Sequence, residues 1–267
     1  MESNHVFQPA SGQGWRAGLG NMLRKELHDW WGTRNWIKQT LIWLVIVNGI
    51  LATVLFVAPT RDSSGILTPD VGPILFFTIG GIALSIGTIL LAQDEVIGEK
   101  RAGTAAWVLT KPASRSAFIL SKLLANALGI LVMMVLFQGA AGYALMSIAQ
   151  GSALPVGPYL LALLLLFLSL MFYLTLGIML GTLFDKGGPV IGIPMILVFT
   201  YQLAGAVPLL GQVMPWKLAV QNSPNSSLAV ALIAGQPLPS LVPVVATLIW
   251  CALFIGTAIW RFEREAF

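Results

Sequence analysis

Six stretches of about 20 mostly apolar residues constrain this chain more than any other feature. A segment of that kind must satisfy its own backbone hydrogen bonds inside hydrocarbon, and a helix does so. The stretches run near Lys38–Ala58, Pro73–Gln93, Ala117–Ile148, Tyr159–Phe184, Pro189–Leu210 and Leu241–Trp260, and the third is long enough to tilt or protrude. Charge is correspondingly scarce: 10% of 267 residues, against about a quarter in a soluble domain. The expected fold class is all-α, a polytopic membrane protein of six transmembrane helices. Residues 1–14 lack a basic n-region and an apolar h-region and read as a flexible tail. Residues 15–267 read as one transmembrane domain, because no polar segment is long enough for a second core. The single cysteine, Cys251, excludes an intramolecular disulfide and a cysteine-based metal cluster.

Positive charge predicts sidedness. Arg16, Arg24, Lys25, Arg34 and Lys38 precede the first span, Lys100, Arg101, Lys111, Arg115 and Lys122 surround the second connection, and Lys186, Arg261 and Arg264 complete that face. Only Arg61 and Lys217 fall on the other, so both termini are expected in the cytoplasm. The long outer connection, 211–240, contains Pro215, Pro224, Pro237 and Pro239 and cannot be one spanning helix. Ser226 or Ser227 can cap a short helix over Leu228–Ala234 closed by Gly235, with another over Trp216–Gln221. These helices either lie on or dip into the outer leaflet, capping a pathway, or form an ordinary structured loop. "GIMLG" at Gly177 to Gly181 and "GPVIG" at Gly188 to Gly192 suit close helix approach, either within the bundle or at a dimer contact.

The region 15–37 reads as an interfacial helix lying in the membrane plane. Trp15, Leu19, Met22, Leu23, Leu27, Trp30 and Trp31 share one arc, opposite Arg24, Lys25, His28 and Asp29. Glu26 breaks this pattern: at 100° per residue it falls among the apolar side chains, where it needs a cation or access to water as a snorkelling carboxylate. The second anomaly is "DEVIGEKRAGTAAWVLTKPASR", Asp94 to Arg115, which holds seven of the 26 Asp, Glu, Lys and Arg residues. Thr104 can cap a short helix over Ala105–Leu109 that Pro112 ends. Its apolar members Trp107, Val108 and Leu109, framed by charge, suit docking to an aqueous protein partner; the basic residues alone could serve topology.

No Gly-x-x-x-x-Gly-Lys-Ser/Thr loop is present to cradle ATP phosphates. The span interiors carry almost no ionisable residue, which argues against a membrane-embedded enzyme and against an ion-driven transporter. His5 and His28 lie outside the spans, and Met133, Met134, Met171, Met179 and Met195 are scattered as packing residues rather than gathered as a copper site.

"EKRAGTAAWVLTKPASRSAFILSK", Glu99 to Lys122, resembles the cytoplasmic connection of ABC-2 type exporter permeases, and "LRKEL", Leu23 to Leu27, resembles their N-terminal interfacial helix. The likeness covers nearly the whole chain, and the connection is also similar to the subgroup linked to multicopper-enzyme maturation. It implies the ABC-2 permease fold in a bacterial or archaeal cytoplasmic membrane, as the transmembrane subunit of an exporter of a hydrophobic or amphipathic substrate. It implies a second permease, identical or related, and cytoplasmic nucleotide-binding subunits that carry ATP and Mg. This chain would bind no cofactor, no metal and no nucleic acid, and would contact membrane lipids. By position, Glu95, Glu99, Gly103, Thr104, Ala105, Ala106, Trp107, Val108 and Leu109 would contact the ATPase across the coupling connection 94–116, while Pro112 and Arg115 would shape the turn into the third span. Lys25 and Glu26 would meet that machinery, with Arg101 or Arg115 as partner to Glu26. A membrane anchor or assembly factor for an ATPase is the alternative, and a membrane-embedded enzyme a more distant one.

Overall fold

The structure is a computed structural model that describes residues 14–57, 71–101, 114–203, 207–221 and 227–264. Among the described residues every regular element is helical. Five helices are long and apolar enough to cross a membrane: Trp36–Phe56, Val71–Glu99, Arg115–Gln150, Val156–Leu183 and Val242–Glu263. They are the first, second, third, fourth and sixth of the expected spans. The fifth differs in extent, being a shorter apolar helix over Gly187–Leu203. Val207 precedes a proline and leaves the helical region, at φ −129° and ψ 87°, because the pyrrolidine ring disfavours α geometry in the residue before it. A separate helix, Pro208–Val213, follows.

The fourth span sits at the centre, with 67% of its most apolar stretch buried against 28% for the first span and 17% for the sixth. Its glycines explain how closely it is approached. A Cβ at Gly177 would come 2.6 Å from the Cβ of Ala92, and one at Gly181 would come 3.1 Å from that of Val96. "GIMLG" is therefore the seam between the second and fourth spans, inside one chain. On the other side Phe172 meets Phe254 of the sixth span edge to face at 5.3 Å.

The first and third spans each contain a π-helical segment, Leu44–Asn48 and Ile130–Leu136. A wider turn loosens backbone carbonyls from their usual partners. Gln138 sits beside both segments: its Nε2 donates to the carbonyls of Met133 and Thr40, each at 3.2 Å, and its Oε1 accepts from Asn48 Nδ2 at 3.0 Å. A neutral amide pair thus clamps the two spans together.

Both described chain ends lie at one end of the bundle. At the far end the expected short helices form over Trp216–Ala219 and Leu228–Ile233, the latter capped by Ser227 Oγ accepting from Val230 N and followed by Gly235 at φ 66°. They do not lie on a surface. Trp216, Leu218, Ala219 and Leu228 to Ala231 are buried, Gln221 N donates to Thr78 Oγ1 at 3.2 Å, and Val220 packs on Gly81. Gly81 is ten residues, about 15 Å, in from the start of its helix, so the segment is folded in among the spans.

Candidate functional site

The end of the bundle that holds both chain ends also holds the charged side chains singled out in the sequence. The second-span helix does not stop where the apolar run ends but continues to Arg101, so Glu95 and Glu99 project from a helix, one turn apart, rather than from a loop. The third-span helix, Arg115–Gln150, has 36 residues, about 54 Å of helix against about 30 Å of hydrocarbon. Its surplus belongs at this charged end, since carboxylates are costly in lipid.

The helix Leu19–Trp31 packs lengthwise and parallel along the opening turns of the third-span helix. Ser114 N donates to the Ala17 carbonyl at 2.9 Å, Glu26 meets Lys122 at 3.2 Å, and Trp30 Nε1 donates to Asn126 Oδ1 at 3.2 Å. Both numberings rise together, by four residues per turn over the last two contacts. Gly129 leaves room for the Trp30 indole, which a Cβ there would meet at 3.0 Å. Trp15 lies in a separate 3-10 turn, Gly14–Arg16, ahead of the helix and is 54% exposed.

Lys122 is the centre of the site. Its side chain is 3% exposed and its Nζ lies 2.9 Å from Glu99, 3.2 Å from Glu26 and 3.5 Å from Glu95. Lys25 closes the cluster from the solvent side, 54% exposed, at 3.0 Å from Glu99 and 3.4 Å from Glu26. Partial burial pulls the Lys25 ammonium down, but Glu26 and Glu99 outweigh that and hold it above the ordinary lysine range. Three carboxylates and two ammonium groups thus join three helices, and the buried Lys122 is fully surrounded by acceptors, the condition under which a buried ion pair is tolerable.

Glu26 therefore has a cation in Lys122, with Lys25 beside it, whereas Arg115, one of the two expected partners, is engaged elsewhere. Arg115 Nη1 donates to the carbonyls of Phe262 and Glu263 at 3.3 and 2.9 Å, capping the C-terminus of the sixth span. The side chain of Arg101 lies outside the described residues. So do Gly103, Thr104, Ala105, Ala106, Trp107, Val108, Leu109 and Pro112, all within 102–113. The structure brings together Lys25, Glu26, Glu95 and Glu99, leaves Arg115 as an anchor for the last span, and adds Lys122, which sequence reasoning passed over as a site residue. One signal was available: a lone lysine inside an apolar helical pattern, on the face that also presents Phe118 one turn earlier, whose ring lies 5.3 Å from Nζ.

Segment 102–113 joins the helix bearing Glu99 to the helix bearing Lys122, and the cluster sits at its two roots. The sequence model of the family described as ABC-2 family transporter protein matches residues 21–266. No curated protein matches the chain.

Proposed function

We propose, from the premise that this chain belongs to the ABC-2 transporter family and is a transmembrane permease subunit, that it serves an exporter driven by ATP hydrolysis on a separate nucleotide-binding subunit. Permeases of this family are in general non-catalytic and work with an ATPase subunit. In this reading two permeases, identical or related, flank a pathway, and the charged end faces the cytoplasm because that end carries most of the Lys and Arg residues.

The observation that carries the coupling reading is the Lys122 cluster at the roots of segment 102–113. Closure of the ATPase subunits around ATP pushes on that segment. The ion pairs of Lys122 with Glu26, Glu95 and Glu99 make the interfacial helix, the second span and the third span respond as one body, and the seam at Gly177 and Gly181 passes the displacement to the central fourth span. Described span surfaces are rich in Leu, Ile, Val and Phe, which favours a hydrophobic or amphipathic cargo over a strongly ionic one.

The test is purification of the tagged chain from its native host in a mild detergent, comparing wild type with Trp107→Ala plus Glu99→Arg. A soluble ATPase is expected with wild type and depleted from the variant, and its turnover is expected to change when apolar probe compounds are added. Absence of any ATPase under conditions that keep the permease monodisperse sinks the coupling reading. An ATPase that binds but ignores every probe compound would leave an anchor in place of a transporter.

A further inference from the structure

The sixth span, Val242–Glu263, is the least buried of the candidate spans, and its exposed face is not smooth. Ala252, Leu253, Gly256, Thr257 and Trp260 line an open groove of about 430 Å³. It exists because Ala252 and Gly256 are small and one turn apart, between Leu253 and Trp260, which are 54% and 52% exposed. A Cβ at Gly256 would find no heavy atom within 4 Å, so no described part of this chain fills the space. From Ala252 to Trp260 the groove follows about 12 Å of helix.

At Trp260 the groove runs into positive charge. The Arg264 guanidinium lies 4.1 Å over the Trp260 ring, Arg261 opens the next turn, and Arg115 is held at the carbonyls of Phe262 and Glu263. The N-terminal turn joins the same place, because the Trp15 carbonyl accepts from the hydroxyls of Ser114 and Ser116, which brings in Arg16, stacked 4.6 Å over Trp15. The described residues of these three segment ends include Arg16, Arg115, Arg261 and Arg264 and one carboxylate residue, Glu263. Any lipid tail can cover an apolar helix face. A groove with the Arg264 guanidinium over its mouth and further arginines on the adjoining segment ends favours an anion, and the planar fork of arginine matches phosphate oxygens in particular. Tryptophan at the mouth sets that point at headgroup depth.

We propose that this groove and its arginines form a binding site for an anionic phospholipid, with one acyl chain along the Ala252–Trp260 face and the phosphate on Arg261 and Arg264. The lipid bridges the N-terminal turn, the start of the third span and the end of the sixth. Its assignment to the cytoplasmic leaflet rests on the topology proposed above; the site does not.

The full chain, purified and returned to mixed micelles holding equal amounts of phosphatidylglycerol and phosphatidylcholine, is examined by native mass spectrometry. Wild type is expected to retain phosphatidylglycerol with a preference of about tenfold. Arg261→Gln with Arg264→Gln reduces that preference to near unity without changing phosphatidylcholine retention. Gly256→Leu, at an open surface position, fills the groove and lowers retention of both. Undiminished preference in the arginine variant overturns the proposal. A wild-type dimer that Gly256→Leu dissociates overturns it too, and assigns the groove to a second copy of the chain. Sidedness is read separately, by labelling Arg264→Cys in a Cys251→Ser background with an impermeant maleimide in right-side-out and inverted vesicles. Labelling from outside refutes the cytoplasmic topology and leaves the lipid site standing.

Discussion

Among the polar contacts that hold the third span, two of opposite chemistry lie on either side of its π-helical segment. At Lys122 the contact is ionic and has a side open to water, through Lys25 at 54% exposure with Glu95 and Glu99 at 19% and 17%. At Gln138, sixteen residues or about 24 Å farther along, it is a neutral amide pair, with Asn48 at 3% and Gln138 at 0% exposure. The difference follows from solvent. Charge is sustainable where water and counter-charges share its field, and it makes a joint sensitive to each of its members. Deeper in the bundle uncharged groups are the tolerable ones, and they work by hydrogen bonds to one another and to backbone carbonyls of the neighbouring spans.

Three substitutions separate the two contacts, by decreasing effect. Lys122→Met removes the buried cation and leaves Glu26, Glu95 and Glu99 facing one another, a loss expected at about 3–5 kcal/mol. Tryptophan fluorescence during thermal unfolding in detergent reads it, and an unchanged midpoint would show that the cluster is not a structural joint. Gln138→Leu is expected to cost about 1–3 kcal/mol, the loss of the amide's bonds to Asn48 and to the Thr40 and Met133 carbonyls. Hydrogen exchange should rise at the two π segments and stay unchanged around Lys122; uniform loosening of the span would break the distinction. Lys25→Ala should cost less than about 1 kcal/mol, since the residue is half exposed. Its effect should fade in high salt, whereas that of Gln138→Leu should persist. Because Lys25 is held above the ordinary lysine range, its contribution is fully present below that range and disappears as pH rises through its folded-state value. The wild-type and Lys25→Ala melting curves should therefore converge at alkaline pH.

Much of this architecture is readable in the linear pattern, and the exceptions have definite causes. Five spans follow from apolar length; beyond the shorter fifth helix, which is described to Leu203, the Val207–Pro208 step is a local steric effect that hydropathy averages away. The short helix after Ser227 is legible from its cap and from Gly235, both local. Its burial against the fourth span is not, since an apolar hexamer looks the same on a surface or in a cleft. Glu26 announces itself as misplaced, because helical period alone puts it on an apolar arc. Its partner stays hidden: Lys122 is 96 residues away, and only the parallel packing of two helices sets them in register. "GIMLG" announces a close approach without saying to what, a question decided by Ala92 and Val96.

Chain chemistry thus determines by itself which segments are helices, which can enter a membrane, and where charge must gather, for these depend on neighbours within a few turns. Tertiary structure decides which charges neutralise one another, which glycines are seams, and which face of the sixth span is left open, because each depends on residues brought together from distant segments.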